Sequence, residues 1–540
     1  MFDRVLPAIQ LASTCAAAAA ASALALAACG GGGGASAGPV DPELPAASCQ
    51  ARTTVDLQPG QRRSLTPAEA ACFRLAAHPS ARYVLAGFDA RGVESARGGP
   101  EAAPTGEPTY LLGDGTPMAA VAVPSASRTG SDEFAADFTV RRTGAADAAD
   151  PFARATPWRE GERFPVRRKD GSGTATARVV RVYGGHYVLA VVDEDASSHA
   201  QKFVDQTGRA LDFIVREGAA VLERAYGARP VTSAGSGQLL VVLAAWNPDL
   251  GAGGAVTQAA PDGSGVSSVV WLNLEVRPGV REGFDRLDHA SYRLKLLAHE
   301  LAHAWQARYA YHAQPAGPRA VAFGPVWAME GTADLVGMDL VRRFLGVGLT
   351  ANYDWQASLR AGGAETVYAL EPFDTRGRLA RGYFDAASFL RDVQVRLVRA
   401  GLTPDDALAQ AARGAVEGWF GVDAAGVRRQ GLAARARAVL GGAWEPADAV
   451  LLWTLTQAAD DEAQAPELNN PVYARATEPG EAYGWQPVVD ELRAGGSFSY
   501  EVRAAAGGSF FARLKDDGRG GTFSAQSSIG DTRWMIARVR

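Results

Sequence analysis

Two histidines four residues apart, His299 and His303, enclose a glutamate, Glu300, in the run SYRLKLLAHELAHAWQARYA at residues 291–310. The apolar positions Leu294, Leu297, Leu301 and Trp305 recur at helical spacing, and neither Pro nor Gly interrupts them, so the run is expected to form one helix. Residues four apart on a helix stand above one another. Both imidazoles can then reach one metal ion, and Glu300 lies beside them near an open coordination position. Such a set is equipped for metal-assisted hydrolysis: the ion polarises a carbonyl and acidifies water, and the carboxylate takes the proton. With 7 histidines in 540 residues, this spacing around a Glu is a rare coincidence. An amphipathic helix that bears two histidines by accident is the plainer alternative.

A catalytic zinc needs a third protein ligand and one position left for water. The stretch Trp327-Ala328-Met329-Glu330-Gly331-Thr332-Ala333-Asp334 offers Glu330. Together with His299-Glu300-Leu301-Ala302-His303 it resembles the WxxEGxA(D/E) signature that follows HExxH in gluzincins, the family of thermolysin-like peptidases and aminopeptidases. The resemblance covers mainly residues 290–340, more loosely 200–460, and implies one zinc ion held by His299, His303 and Glu330, with Glu300 as general base. Asp334, four residues after Glu330, falls on the same helical face, where it can accept the other ring N–H of a liganding histidine. A metzincin would need Gly at 306 and His at 309, where Gln306 and Tyr309 stand, and no inverted HxxEH is present. A purely structural zinc site would close all four positions with protein ligands, often cysteines, and none lies nearby.

Peptide hydrolysis also calls for a donor toward the developing oxyanion. No histidine follows His312, so the downstream histidine of thermolysin-like enzymes is missing and a tyrosine is the remaining choice. Tyr383, in the run Arg381 to Leu390, resembles the tyrosine found after the glutamate motif in several gluzincins. Core packing explains it equally well, and Tyr368 is the reserve. The histidines His78, His186, His199, His289 and His312 have no partner at ligand spacing. The acidic run Asp193-Glu194-Asp195 could hold calcium, yet it lacks the loop pattern of a calcium site.

These motifs need a scaffold, and the hydrophobic patterning supplies one. Strand-like runs at 175–182 and 186–192, a helical run at 200–226, strands at 239–245 and 266–276, and helical patterning to about 459 read as an α+β, zincin-like peptidase domain over residues 156–465. Short alternating runs separated by Gly, Pro and Ser mark a small all-β, sandwich-like domain at 49–142, and the strands at 497–502, 509–514 and 534–539 mark another at 470–540. A Pro/Gly/Ala/Asp stretch at 143–157 links the first β domain to the peptidase domain. The fold class expected is thus a peptidase domain flanked by separate N- and C-terminal β domains.

A hydrophobic content of 47% over 540 residues allows a substantial core, and 54 basic against 59 acidic side chains, with no long run of either sign, give no sign of a nucleic-acid partner. Residues 5–28 carry no charge and lead into Leu26-Ala27-Ala28-Cys29, which resembles the lipobox of bacterial lipoproteins. That resemblance implies a signal peptide at 1–28, acylation of Cys29, a flexible tether at 29–48 and a place on the cell envelope, with the membrane as partner through Cys29. A secretory signal cut after Ala28 is the milder alternative. Once Cys15 and Cys29 are set aside, Cys49 and Cys72 are left; in an oxidising compartment they are expected to pair, two unrelated buried thiols being the other reading. The function expected is zinc-dependent cleavage of peptide bonds in a protein or peptide substrate. Endopeptidase action is favoured because no GxMEN-like sequence precedes the HExxH. A binding or adhesion lipoprotein on a peptidase-like scaffold is the alternative, opposed by the retention of Glu300, which metal binding alone does not require.

Overall fold

The structure, a computed structural model, describes residues 53–97, 106, 108–113, 120–122, 138–141, 156–168, 173–230, 236–246, 253–259, 266–274, 289–312, 326–346, 380–421, 430–458, 489–493, 499–503, 507–515 and 518–540. The expected signal peptide and tether, Cys29, Cys49 and Tyr368 lie outside these residues. The first strands are β1 (Thr53–Val55), β2 (Arg62–Leu65), β3 (Phe73–Leu75), β4 (Arg82–Asp89), β5 (Thr109–Gly113) and β6 (Ala120–Ala122), with short helices α1 (Pro67–Ala70) and α2 (Arg91–Ser95). The middle of the chain supplies β7 (Phe138–Arg141), β8 (Arg163–Arg167), β9 (Thr174–Tyr183), β10 (Tyr187–Val192), α3 (Ser198–Phe213), α4 (Ala219–Tyr226), β11 (Leu239–Ala244), β12 (Gly253–Ala259) and β13 (Val266–Asn273). Helices follow: α5 (His289–His312), α6 (Val326–Phe344), α7 (Ala380–Arg399), α8 (Pro404–Val416), α9 (Leu432–Leu440) and α10 (Pro446–Ala458). The chain closes with β14 (Val489–Arg493), β15 (Ser499–Arg503), β16 (Ser509–Lys515), β17 (Gly521–Ser527) and β18 (Thr532–Arg538).

The central sheet has the order β7-β12-β13-β11-β10-β9-β8. Strands β10, β11 and β13 run parallel, while β12 is antiparallel to β13. The β10–β11 connection is a helical crossover, as parallel neighbours require, through α3, a π turn at Ile214–Gly218 and α4. Both YVLAVV in β10 and LLVVLA in β11 are buried along their whole length, because the sheet is covered on both faces. Leu189, Val191, Leu239, Val241, Leu243, Val270 and Leu272 face the helical core, and their neighbours Val188, Ala190, Leu240, Val242, Val269 and Trp271 face a second core closed by Trp158 and Trp246. Helix α5 belongs to the first of these cores with α6 and α7. Residues 293–307 of α5 are all buried, the polar ones along with the apolar ones.

The flanking β segments differ from expectation. Strands from both ends of the chain interleave in two sheets, β1-β3-β17-β5-β15-β6 and β14-β16-β4-β18-β2. One core, including Phe73, Leu85, Tyr110, Phe510, Phe523 and Trp534, lies between them. Residues 49–142 and 470–540 therefore do not form two separate domains: β4 pairs on one side with β16 and on the other with β18. Each of the two sheets is completed only by strands from both ends of the chain, so neither segment closes the shared core alone. Strand β7, expected within the N-terminal domain, pairs instead with β12 in the central sheet, Ala255 facing Phe138. Cys72, beside β3, is disulfide-bonded.

Helices α6 and α7 are joined by a buried ion-pair cluster. Asp339, fully buried, takes Arg343 Nε at 2.7 Å and one amino group each from Arg342 and Arg391 at 3.0 Å. Burial alone would raise the Asp339 pKa, but the three guanidinium groups hold it at about 2, below its ordinary 3.8. A carboxylate depressed in the folded state stabilises it above the unfolded pKa and loses that contribution as pH falls toward the folded one. From the shift this amounts to about 2 kcal/mol, lost between about pH 4 and 2. Asp339→Asn is expected to lower the melting temperature at pH 7 by several degrees and to shrink its fall across that acid window. An acid-melting curve with undiminished slope would contradict this.

Candidate metal centre

Glu330 lies in the first turns of α6 and faces the middle of α5, where His299 and His303 stand one turn apart. Two close approaches make this possible. A Cβ on Gly337 would lie 3.1 Å from the carbonyl oxygen of Lys295 on α5, and one on Gly331 would lie 2.6 Å from the Cβ of Ala386 on α7. Larger residues at either place would push the helices apart and open the cluster.

The two imidazole Nε2 atoms are 3.0 Å apart, and Glu330 Oε2 lies 3.3 Å from that of His299 and 3.1 Å from that of His303. All three side chains are buried. A tetrahedral zinc with bonds of about 2.0–2.1 Å places neighbouring ligand atoms about 3.3 Å apart, so the donor set and its spacing fit the ion.

Each imidazole is turned inward by a partner at its far nitrogen. His299 Nδ1–H donates to Asp334 Oδ1 at 2.6 Å, and the same oxygen receives Lys295 Nζ at 2.5 Å. His303 Nδ1–H donates to Gln306 Oε1 at 2.9 Å. The orientation of the Gln306 amide follows from its other end, where Nε2 donates to the carbonyl oxygen of Met329 at 2.9 Å and to Thr332 Oγ1 at 2.7 Å. A carbonyl oxygen can only accept, so Oε1 must face His303 and the histidine must carry its proton on Nδ1. Gln306 thus couples the tautomer of His303 to the turn that carries Glu330. Gln306→Leu is expected to weaken zinc binding about 10- to 100-fold. A chelator-competition titration checks this, and unchanged affinity would show that His303 keeps its orientation without the amide.

The charges around the cluster shift its titratable groups strongly. Burial disfavours charge on His299, but Asp334, Glu330 and Glu300 outweigh it and push its pKa up to about 10. Burial would likewise raise Glu330, yet His303 and His299 hold it at about 2. The Lys295 ammonium and His299 keep Asp334 well below the usual carboxylate range. The cluster therefore keeps its carboxylates ionised and gathers positive charge.

Glu300 is fully buried beside the cluster. Its carboxylate lies against the backbone of Gly253 at the start of β12, where a Cβ would overlap Oε1. The sequence reading missed Gly253, Gln306 and Lys295. Their signals were the same helical face for Lys295 and His299, four apart, and the one-turn spacing of His303 and Gln306; nothing in the run GAGGAV pointed to Gly253. Tyr383 falls in the first turn of α7. The calcium expectation for Asp193, Glu194 and Asp195 loses its basis: Arg163 and Arg178 bind Asp193, and Arg168 binds Glu194 and Asp195, so the carboxylates are already committed. His78 pairs with Asp56 at 2.7 Å, and His186 is exposed.

No protein-family model matches this chain, and no curated protein matches it in sequence. Among solved structures it is similar to an aminopeptidase N family protein from Idiomarina loihiensis, at 12% identity and a TM-score of 0.23, over 45% of this chain and 44% of that one. The chain thus spans less than half the length of that neighbour.

Proposed function

We propose that the chain hydrolyses peptide bonds by means of one zinc ion held by His299, His303 and Glu330, with Glu300 as general base. The observation that supports this most is the convergence of three buried donor atoms at 3.0–3.3 Å from one another, each histidine locked by a partner at its other nitrogen. Bound in such a set, zinc supplies Lewis acidity toward a scissile carbonyl and toward water. Glu300 accepts the proton of the attacking water and delivers it to the leaving amine. Asp334 and Gln306 hold the ligand tautomers, and Tyr383 is the proposed donor to the developing oxyanion. The central sheet with its helices, about residues 156–465, is read as a zincin-like peptidase domain.

Endopeptidase action remains the favoured mode, supported by the lack of a GxMEN-like sequence. The same reading keeps the chain exported and anchored through Cys29, supported by Leu26–Cys29 alone; among the described residues no helix is long and apolar enough to cross a membrane. Digestion of casein and of a peptide library tests the proposal. Cleavage is expected to stop on treatment with a zinc chelator and to return with added zinc. Cleavage that persists in protein shown to be metal-free, or no cleavage of any substrate by zinc-loaded protein, would overturn it.

A further inference from the structure

Lys295 has no role in the mechanism above, yet it is buried at its centre. It lies one turn before His299 on α5 and is 7% exposed. Its Nζ and His299 Nδ1 meet on a single atom, Asp334 Oδ1, at 2.5 Å and 2.6 Å. The close packing at Gly337, whose Cβ would stand 3.5 Å from the Lys295 Cγ, runs the lysine stem along α6. A buried ammonium is costly unless its charge is matched. Here the matching involves the whole cluster. Glu300, Glu330 and Asp334 bring three buried negative charges; Lys295 and a divalent cation together cancel them. Without Lys295 the loaded cluster would carry one net negative charge in surroundings that screen it poorly.

We propose that Lys295 is a positioning residue that tunes the metal: by sharing Asp334 Oδ1 with His299 it draws off part of that carboxylate's charge, weakening metal affinity while keeping the bound ion more electron-poor. This rests on reading the cluster as a metal centre. A lysine that only holds the helices together would, on removal, leave metal binding unchanged or weaker. A lysine that acts through charge would, on removal, leave it tighter, because a cation no longer repels the ion and Asp334 acts undivided on His299.

The test is zinc affinity by competition with a chromophoric chelator, together with the visible spectrum of the cobalt-loaded protein, for the full chain, Lys295→Met and Lys295→Gln. Methionine keeps the length of the stem, and glutamine keeps a donor for Asp334. Both variants are expected to bind zinc about tenfold more tightly, with the cobalt band keeping its intensity. Equal or weaker binding in both would overturn the inference and leave the metal-centre reading standing. Loss of the folded state in both, seen by circular dichroism, would assign Lys295 to the fold and likewise overturn it. Absence of zinc binding by the unaltered chain would bring down the metal-centre reading and this inference with it.

Discussion

Glu300→Gln is expected to keep one zinc, bound about tenfold more weakly because one of the three buried negative charges is gone, and to cleave peptides about 10³-fold more slowly, the range in which a positioned general base contributes. The substitution changes almost no volume, which matters because Glu300 is fully buried and pressed against Gly253. What it removes is the ability to accept a proton. Glu300 is not among the three converging donors, so metal binding and turnover should separate. The loss should appear in kcat and equally in kcat/KM, with KM little changed, because a proton acceptor acts in the transition state and not in binding. Parallel zinc analysis and kinetics decide the matter. Loss of metal together with activity would place Glu300 among the ligands, and retained turnover would remove it from the chemistry.

Glu330→Ala is expected to have the opposite pattern, with zinc affinity falling by about 10³-fold or more and activity disappearing because the ion is gone. Glu330 also faces two buried imidazoles at 3.3 and 3.1 Å. Its loss leaves any charge on them less compensated, so the metal-free variant should melt at a lower temperature than the metal-free parent. Chelator-competition titration and thermal melts of both metal-free proteins give the two readouts. A variant that still held stoichiometric zinc at parental affinity would show that a different third ligand completes the site.

The two predictions differ in how readily their residues could be read from the chain. His299, Glu300 and His303 are legible because they obey local helical spacing on an uninterrupted run, and a helix turns spacing directly into geometry; Glu330 is legible through the WxxEGxA(D/E) resemblance, and Asp334 through its spacing of four from Glu330. Gln306 obeys the same spacing, yet it served only to set aside another metallopeptidase class. A glutamine becomes informative only once the carbonyl of Met329, on the next helix, fixes which end of its amide faces His303. Lys295 was overlooked because a lone lysine reads as a solvated residue; its burial depends on α6, brought close by Gly337.

Long-range pairing was the other gap. Strands β10 and β11 are continuous apolar runs and β13 carries the apolar stretch Val269–Leu272, and all three were found, whereas β12, GGAVTQA, was not. Its glycines lower strand propensity, and Gly253 is required by the approach of Glu300, which no local pattern reveals. The interleaving of β4 between β16 and β18 joins residues more than 400 positions apart. Alternation within each segment shows that strands exist and is silent on their partners, so one sandwich was read as two modules.

Zinc analysis combined with X-ray absorption at the zinc edge, on the purified zinc-loaded chain, tests the metal centre most directly. The expected result is one ion per chain, with a shell of nitrogen and oxygen near 2.0–2.1 Å that includes two imidazole rings. A chain that holds no zinc, or one whose zinc shows sulfur ligands or no imidazole, would contradict the account.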